Sequence, residues 1–345
     1  MTYPVNPATQ VNAETPMNPA NPANPANPAA SVDPAPLAPV FVSVLDAVEW
    51  RAPRTVAVHG AAGTVEVDLR GKRAALELRR ALYENFHAGR PATGTAADPD
   101  EEFLELLRDA VRIPWSADPG WRVRGELPDG RLSVERDGVR LVVDRARQLA
   151  PGSPTGAGAE VTVRMPPCRP NLSPGFFLVT GSLGGPGERL VRFYLNLPRA
   201  SVPAFFTGTT ERLEAAGVRY SLKTLADPHA YGRRDGTVLY TEDRFRAPVL
   251  AALEEVLPGL PSPAGRDLPP LTEPVLPQVG FAEEPLGGDS ARLSFGEQRC
   301  EAVARVLAAH HGRPVTELYA PLAAELVSRG IDPLAPHRNL QGDQP

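Results

Sequence analysis

Lysine is nearly absent from this chain. Of its 36 basic residues only Lys72 and Lys223 are lysine, and the rest are arginine. Coding bias can replace lysine by arginine wherever only a positive charge is needed. A lysine kept on a predicted strand therefore raises the question of what arginine fails to supply there. The chemical answer is proton transfer, because an ammonium loses its proton when its pKa is depressed and a guanidinium does not. Lys223 is the first candidate for a general base; the alternative is a surface lysine retained by chance. Cysteine is also scarce. Cys168 and Cys300 make neither a disulfide framework nor a metal site, which points to a reducing compartment. No apolar run approaches the length of a membrane span, and the opening MTYPVNPATQVNAETP lacks the basic and apolar parts of a secretory signal. A net charge of −5 offers no basic field for nucleic acid or an anionic membrane. The reading is a cytoplasmic protein with neither as partner. A phosphate-cradling glycine loop with lysine, a nucleophile elbow and a metal-ligand pair at helical spacing are all missing, so no cofactor is expected.

What is present is enough apolar sequence, 42% of 345 residues, for one large core or two modest ones. Residues 1–38 are low in complexity, with four Asn-Pro-Ala units from Asn18 to Ala29. Proline removes backbone donors and little here can be buried, which predicts a disordered tail. Folded sequence begins near Phe41. VSVLDAVEW reads as a short helix, TVAVHG and TVEVDL as a hairpin around Gly60–Gly63, and Arg73–His87 and Glu101–Val111 as amphipathic helices. From Trp121 the period switches to two. WRVRGEL, RLSVER and VRLVVDR are separated by Asp129-Gly130 and Asp137-Gly138, both hairpin signals. Further strands follow at Glu160–Met165, Phe176–Gly181, Arg189–Leu197, VRYSLKTL and GTVLYTE. Helices are expected over Val202–Ala216, closed by Gly217, over Arg244–Leu257, over Gly296–His311 and over Val315–Arg329. The proline- and glycine-rich stretch 258–290 is expected to wrap over the surface. Hairpin-connected strands with separate helices argue an α+β fold, antiparallel sheets with helices packed at their sides. The division expected is a tail (1–38), an N-terminal α+β part (39–150), a second part (151–335) and a C-terminal tail (336–345).

The chemistry-bearing residues are densest between 189 and 246. Alternation on strand 189–197 places Arg192, Tyr194 and Asn196 on one face, and on strand 218–225 it places Arg219, Ser221 and Lys223 together. If the strands pair, a polar face gathers arginine, tyrosine, asparagine and lysine over an apolar one, although a solvated antiparallel face has the same pattern. The connection after Lys223 adds Tyr231, Arg233, Arg234 and Asp235. Guanidiniums around one ammonium suit a polyanion such as phosphate, and they lower the lysine pKa. The His310-His311 pair sits late in a helix and reads as structural.

These residues resemble the HopA-type effector family, first described among bacterial type III secreted effectors and present in clusters for class V lanthipeptides and thioamitides. The resemblance is carried by Arg192-Phe193-Tyr194 with Asn196, by Lys223 within YSLKTL, and by Tyr231, Arg233 and Asp235 followed by VLY. It continues in Ser294-Phe295-Gly296 with Arg299-Cys300, in the terminal GIDPLAPHRNL and in LYENFHAG, where a second tyrosine is expected at His87. It runs in order over most of residues 41–340. It implies a lyase with a phosphothreonine-lyase-like core, eliminating phosphate from phosphoserine or phosphothreonine of a ribosomally made precursor peptide to give dehydroalanine or dehydrobutyrine. The implied partners are that phosphorylated peptide and an aminoglycoside-phosphotransferase-like kinase, in a heteromeric complex or apart. Phosphothreonine lyases carry Lys-x-His, whereas Lys223 is followed by Thr224 and Leu225.

Elimination needs a base, positive groups on the leaving phosphate and an acid. Lys223 is the base candidate. Arg192 and Arg233 are the phosphate clamps, with Arg234, Arg219 or Arg164 as supplements, and Asp235 orients an arginine. His229, His87 and Tyr194 all stand as candidates for the acid, and Asn196 and Tyr231 as supporting residues. The competing reading is a non-catalytic, effector-like or leader-peptide-binding protein that acts through a partner kinase or host protein.

Overall fold

The computed structural model describes residues 36–51, 53–90, 100–169, 172–261, 267–286 and 293–340. The expected N-terminal tail lies outside the described residues except for Pro36–Ala38, and so does the C-terminal tail beyond Leu340. In chain order the elements are α1 (Pro39–Asp46), β1 (Val48–Arg51), β2 (Thr55–Gly60), β3 (Gly63–Asp68), α2 (Ala74–Tyr83) and α3 (Glu101–Ala110). Then come β4 (Ser116–Glu126), β5 (Leu132–Arg136), β6 (Val139–Val143), α4 (Arg145–Gln148), β7 (Glu160–Met165) and β8 (Phe176–Thr180). The last are β9 (Leu190–Leu195), α5 (Val202–Ala215), β10 (Tyr220–Leu225), β11 (Thr237–Glu242), α6 (Arg246–Val256), β12 (Glu273–Leu276), β13 (Val279–Glu283), α7 (Phe295–Ala309) and α8 (Tyr319–Ser328).

The fold is α+β, and every strand pairing is antiparallel. A six-stranded sheet runs β12-β13-β9-β11-β10-β8, beside a three-stranded β1-β2-β3 sheet and a four-stranded β6-β5-β4-β7 sheet. The four-stranded sheet spans residue 150, since β7 pairs with β4. One face of the six-stranded sheet buries Phe177, Phe193, Leu222 and Phe281 against Phe205 and Phe206 of α5, Leu253 of α6 and Leu107 of α3. Each fully buried phenylalanine or leucine contributes about 1.5–3 kcal/mol. The other face meets α7, α2, α1, α8 and the small sheet, with Tyr194, Val238 and Ala282 joining Phe295, Leu78 and Val56.

Local chemistry explains the element ends. Asp137 and Gly138 both have positive φ, 50° and 79°, as a two-residue hairpin requires. Helix α5 ends in a Schellman motif, with Gly217 at φ 65°, its N–H on Glu214 O and that of Val218 on Leu213 O. At the start of α7, Ser294 and Glu297 form a reciprocal capping box. Helix α2 continues into a π-helical turn, Glu84–Ala88, a rare form that recurs at functional sites.

Four expectations change. The helix expected over VSVLDAVEW stops at Asp46, and Val48 and Trp50 enter β1, where β-branched and aromatic side chains pair with Val58 and Val56. Stretch 258–290 does not simply wrap the surface. It supplies β12 and β13, which extend the large sheet beyond β9. Pro274 is tolerated because β12 is the edge strand. Strand 189–197 ends at Leu195, so Asn196 lies outside it. The terminal helix is a 3-10 turn, Val315–Leu318, followed by α8. The segment after α8 is tied down, with Ile331 bridging Asn339 and Glu283 N–H bonded to His337 O.

Candidate active site

Strand register builds the floor of the site. Tyr194 of β9 stands opposite Val238 of β11, which stands opposite Lys223 of β10; in the next row Arg192 faces Tyr240. Side chains two residues apart share a face, so Arg192, Tyr194, Val238, Tyr240 and Lys223 all project from the same side. That side is covered and not solvated, the opposite of the wet face that the alternation alone allows. The roof comes from Tyr83 and His87 at the end of α2 and from Ser294 and Glu297 at the start of α7. The β10–β11 connection adds Arg233 and Asp235, and Phe176 closes one end. Together they line a cavity of ≈ 230 Å³. A larger open groove of ≈ 890 Å³ lies along Ala75, Ala308, Ala309 and Ala324. Its Arg305 pairs with its Glu301 at 3.1 Å, and it gathers no cation comparable to Lys223, so the smaller cavity is the candidate site.

Lys223 Nζ has no carboxylate partner among the described residues. It sits over the Phe176 ring at 4.4 Å and the Tyr240 ring at 5.5 Å. Aromatic faces attract an ammonium but replace little of its hydration. Burial, reinforced by the charge of Arg192, therefore lowers its pKa to about 8. Both neighbouring guanidiniums are already held. Arg192 bonds Glu284 through Nε and Nη2, and its Nη1 lies 3.4 Å from Tyr194 Oη. Arg233 donates from Nε and Nη2 to Asp235 at 2.9 and 2.8 Å. Asp235 also accepts from Tyr83 Oη at 2.5 Å. Burial pushes the Asp235 carboxyl up, but the hydrogen bonds and charge of Arg233 overcome this and hold it at about 2. The phosphate clamp expected of these arginines is thus reduced to the N–H bonds not spent on Glu284, Tyr194 and Asp235.

His87 is 1% exposed, between the rings of Tyr83, Tyr194 and Phe295 at 5.1–5.8 Å between centroids. Its Nδ1 has no hydrogen-bond partner among the described residues. Burial, with help from Arg192 and Arg233 and against the pull of Asp235, lowers its pKa to about 4, so the imidazole is neutral at pH 7. Burial also raises the pKa of Tyr194, and pushes that of Tyr240 up to about 12. Gly296 brings α7 against His87, since a Cβ there would lie 2.5 Å from the ring carbons. Gly296→Ala is expected to displace His87 at a cost of about 1–3 kcal/mol, measurable by urea denaturation.

The structure thus brings together Lys223, Arg192, Tyr194, His87, Arg233 and Asp235 from the sequence-predicted set. The others lie elsewhere. His229 is exposed on the 3-10 turn Pro228–Ala230, which Asp227 caps, and it does not line the cavity. Arg219 precedes β10 and pairs with Glu242 at 3.5 Å. Arg164 belongs to β7 of the other sheet, where it stacks on Trp115 at 4.6 Å. Arg234 pairs with Asp267 at 2.9 Å, and Asn196 Nδ2 donates to Asp267 O at 3.1 Å. Tyr231 points into the opposite core, with its hydroxyl on Leu225 O and Thr224. Sequence reading assigned no role to Tyr83, Tyr240, Phe176, Glu284, Ser294 or Glu297. Tyr83, Tyr240 and Ser294 lay in segments that carry the family resemblance, and Ser294 with Glu297 also has the S-x-x-E spacing of a capping box. Among the described residues no cluster of three His, Cys, Asp or Glu side chains could hold a metal ion, and no helix is long and apolar enough to cross a membrane.

Residues 168–338 match the HopA1 effector protein family, a span that holds every floor residue of the cavity and the start of α7. Over these residues the chain belongs to that family. Two solved effector proteins from Pseudomonas syringae are similar to it. The one from pathovar tomato strain DC3000 is 16% identical over 76% of this chain and 90% of its own, with a TM-score of 0.44. The one from pathovar syringae strain 61 is 17% identical over 78% of this chain and 94% of its own, with a TM-score of 0.43. No curated protein matches the chain in sequence. Tyr83 and His87 lie outside the family span and complete the site from the N-terminal side.

Proposed function

We propose that this HopA1-family chain is a lyase that eliminates phosphate from phosphoserine or phosphothreonine of a ribosomally made precursor peptide, as in class V lanthipeptide or thioamitide maturation. The observation that carries the reading is Lys223, a half-buried amine without a carboxylate partner among the described residues, with a pKa of about 8, in a small cavity that two arginines also line. A cavity of ≈ 230 Å³ is smaller than the roughly 300–1,000 Å³ of drug-sized pockets and suits one phosphorylated side chain. Neutral Lys223 removes the Cα proton. The C–H electrons form the Cα=Cβ bond, the Cβ–O bond breaks, and phosphate leaves with the electron pair. The N–H bonds that Arg192 and Arg233 do not spend on their present partners stabilise the departing charge. A proton from His87 or Tyr194 lets it leave as hydrogen phosphate. His87 is neutral in the free protein, and an arriving phosphate dianion opposes the arginines and favours its protonation. Asp235 holds Arg233 in place. The phosphorylated peptide comes from a partner kinase of the aminoglycoside-phosphotransferase type.

The test is incubation of the protein with a leader-bearing phosphoserine peptide, followed by mass spectrometry. Loss of one phosphoric acid per site is expected, and an unchanged peptide mass counts against the reading. One observation favours the second reading, a non-catalytic effector-like or leader-binding protein: both guanidiniums are already bonded to carboxylates. Peptide binding that survives Lys223→Met with Arg233→Met, with no elimination by the wild type, would favour it.

A further inference from the structure

Three carboxylates stand in or behind the cavity wall, and they are not equally committed. Asp235 is 4% exposed and takes three hydrogen bonds, from Arg233 and Tyr83. Glu284 takes two from Arg192. Glu297 is half-buried and holds the Ser294 N–H at 2.8 Å, at the first turn of a fifteen-residue helix. A helix N-terminus presents unpaired N–H groups and a partial positive charge, both suited to an anion. Here one carboxylate of the chain itself fills that position. Across the same cavity stand an ammonium, Lys223, without a carboxylate partner among the described residues, and a fully buried imidazole, His87, whose Nδ1 has no hydrogen-bond partner among them. Gly296 adds closeness, because without a Cβ the first turn of α7 lies directly on the His87 ring.

We propose that the N-terminus of α7 is the seat of the substrate's phosphate, and that Glu297 is a displaceable stand-in for it. The phosphate takes the Ser294 N–H that the Glu297 carboxylate now holds, and lies between the helix end, His87 and Lys223. Glu297 swings out toward solvent. The inference rests on the phosphopeptide reading for its ligand, and it adds a binding and specificity residue that the two arginines do not supply. It also gives the already-paired arginines a smaller task, orienting an anion whose main seat is the helix end. Glu297 then acts as a selector, since a ligand without a dianionic group cannot replace a carboxylate on the same donors.

Inorganic phosphate, a phosphoserine peptide and its unphosphorylated form are titrated into the full chain and its Glu297→Gln variant by calorimetry. The amide introduced by Glu297→Gln keeps an oxygen for the Ser294 N–H and so preserves the cap while removing the competing charge. Removing one like charge in a partly screened site is expected to tighten phosphate and phosphopeptide binding about ten-fold and leave the unphosphorylated peptide unchanged. Equal phosphate affinity in both proteins overturns the proposal. Should the variant fold poorly, wild-type protein labelled at its histidine rings decides: phosphate must shift the His87 resonances, and unmoved resonances overturn it. The binding test needs no turnover. A tighter Glu297→Gln variant with no elimination by the wild type leaves the seat standing and removes the lyase. Elimination by the wild type with no gain in Glu297→Gln removes the seat alone.

Discussion

Replacing Lys223 by methionine is expected to slow elimination sharply and to make the protein more stable. The folded pKa of Lys223 is about 8, against an ordinary value of 10.5. Between these values the unfolded chain holds a proton that the folded chain has released, so wild-type stability rises with pH across that window. Below pH 8 both states are protonated, and the folded state bears the full cost of an ammonium among rings and arginines. The shift corresponds to about 3 kcal/mol. Methionine fills similar space without charge, so Lys223→Met is expected to gain a few kcal/mol at pH 7, read by urea denaturation. Loss of a general base lowers the rate roughly 10²- to 10⁴-fold. Lys223→Arg is expected to lose the activity without the gain in stability, because its charge stays and cannot be given up. In the wild type, kcat/KM for elimination is expected to rise with pH until about 8 and then level. That limb disappears in both variants. An active Lys223→Arg protein would remove lysine from the base role.

Asp235→Ala is expected to be the most destabilising single change at the site. It leaves the half-buried Arg233 guanidinium without its two-point partner and Tyr83 without its acceptor. Breaking a buried pair by removing one member costs about 3–5 kcal/mol, a fall in Tm of roughly 10 °C for a domain of this size. The same carboxylate has a pH signature. Its folded pKa of about 2 lies below the ordinary 3.8, so its contribution is complete above 3.8 and is lost as pH falls through 2. His87 acts at higher pH. With a folded pKa of about 4 against 6.5, only the unfolded state takes up a proton between those values, and stability falls as pH drops from 6.5 to 4. Wild-type acid unfolding followed by circular dichroism should show both windows. Asp235→Ala should keep the histidine window and lose the carboxylate one.

Much of this site was legible in the sequence because strand alternation is a local property. Arg192 and Tyr194 share a face through spacing alone, and so do Ser221 and Lys223. Neighbourhood in sequence was a poorer guide. Arg234 adjoins Arg233 and Asn196 is two residues from Tyr194, yet both turn to Asp267, since one residue off the strand or along the loop redirects the side chain. Arg219 has the right parity but sits a strand length away from the cavity, beside Glu242. Glu284 gave no local sign of its role because its partner Arg192 is 92 residues distant. Strand β13, which brings it there, was hidden in a proline-rich stretch whose prolines suit an edge strand.

The scarcity of lysine and the period-two pattern were enough, by themselves, to determine the antiparallel α+β character, the candidate base and the face it shares with arginine. Tertiary structure alone decided that this face is roofed by α2 and α7, that both arginines are paired, and that Lys223 has no carboxylate partner among the described residues. Alternation determines which way a side chain points, but charge pairing and desolvation depend on what the rest of the chain packs against it. That packing makes Lys223 a candidate base instead of a surface cation.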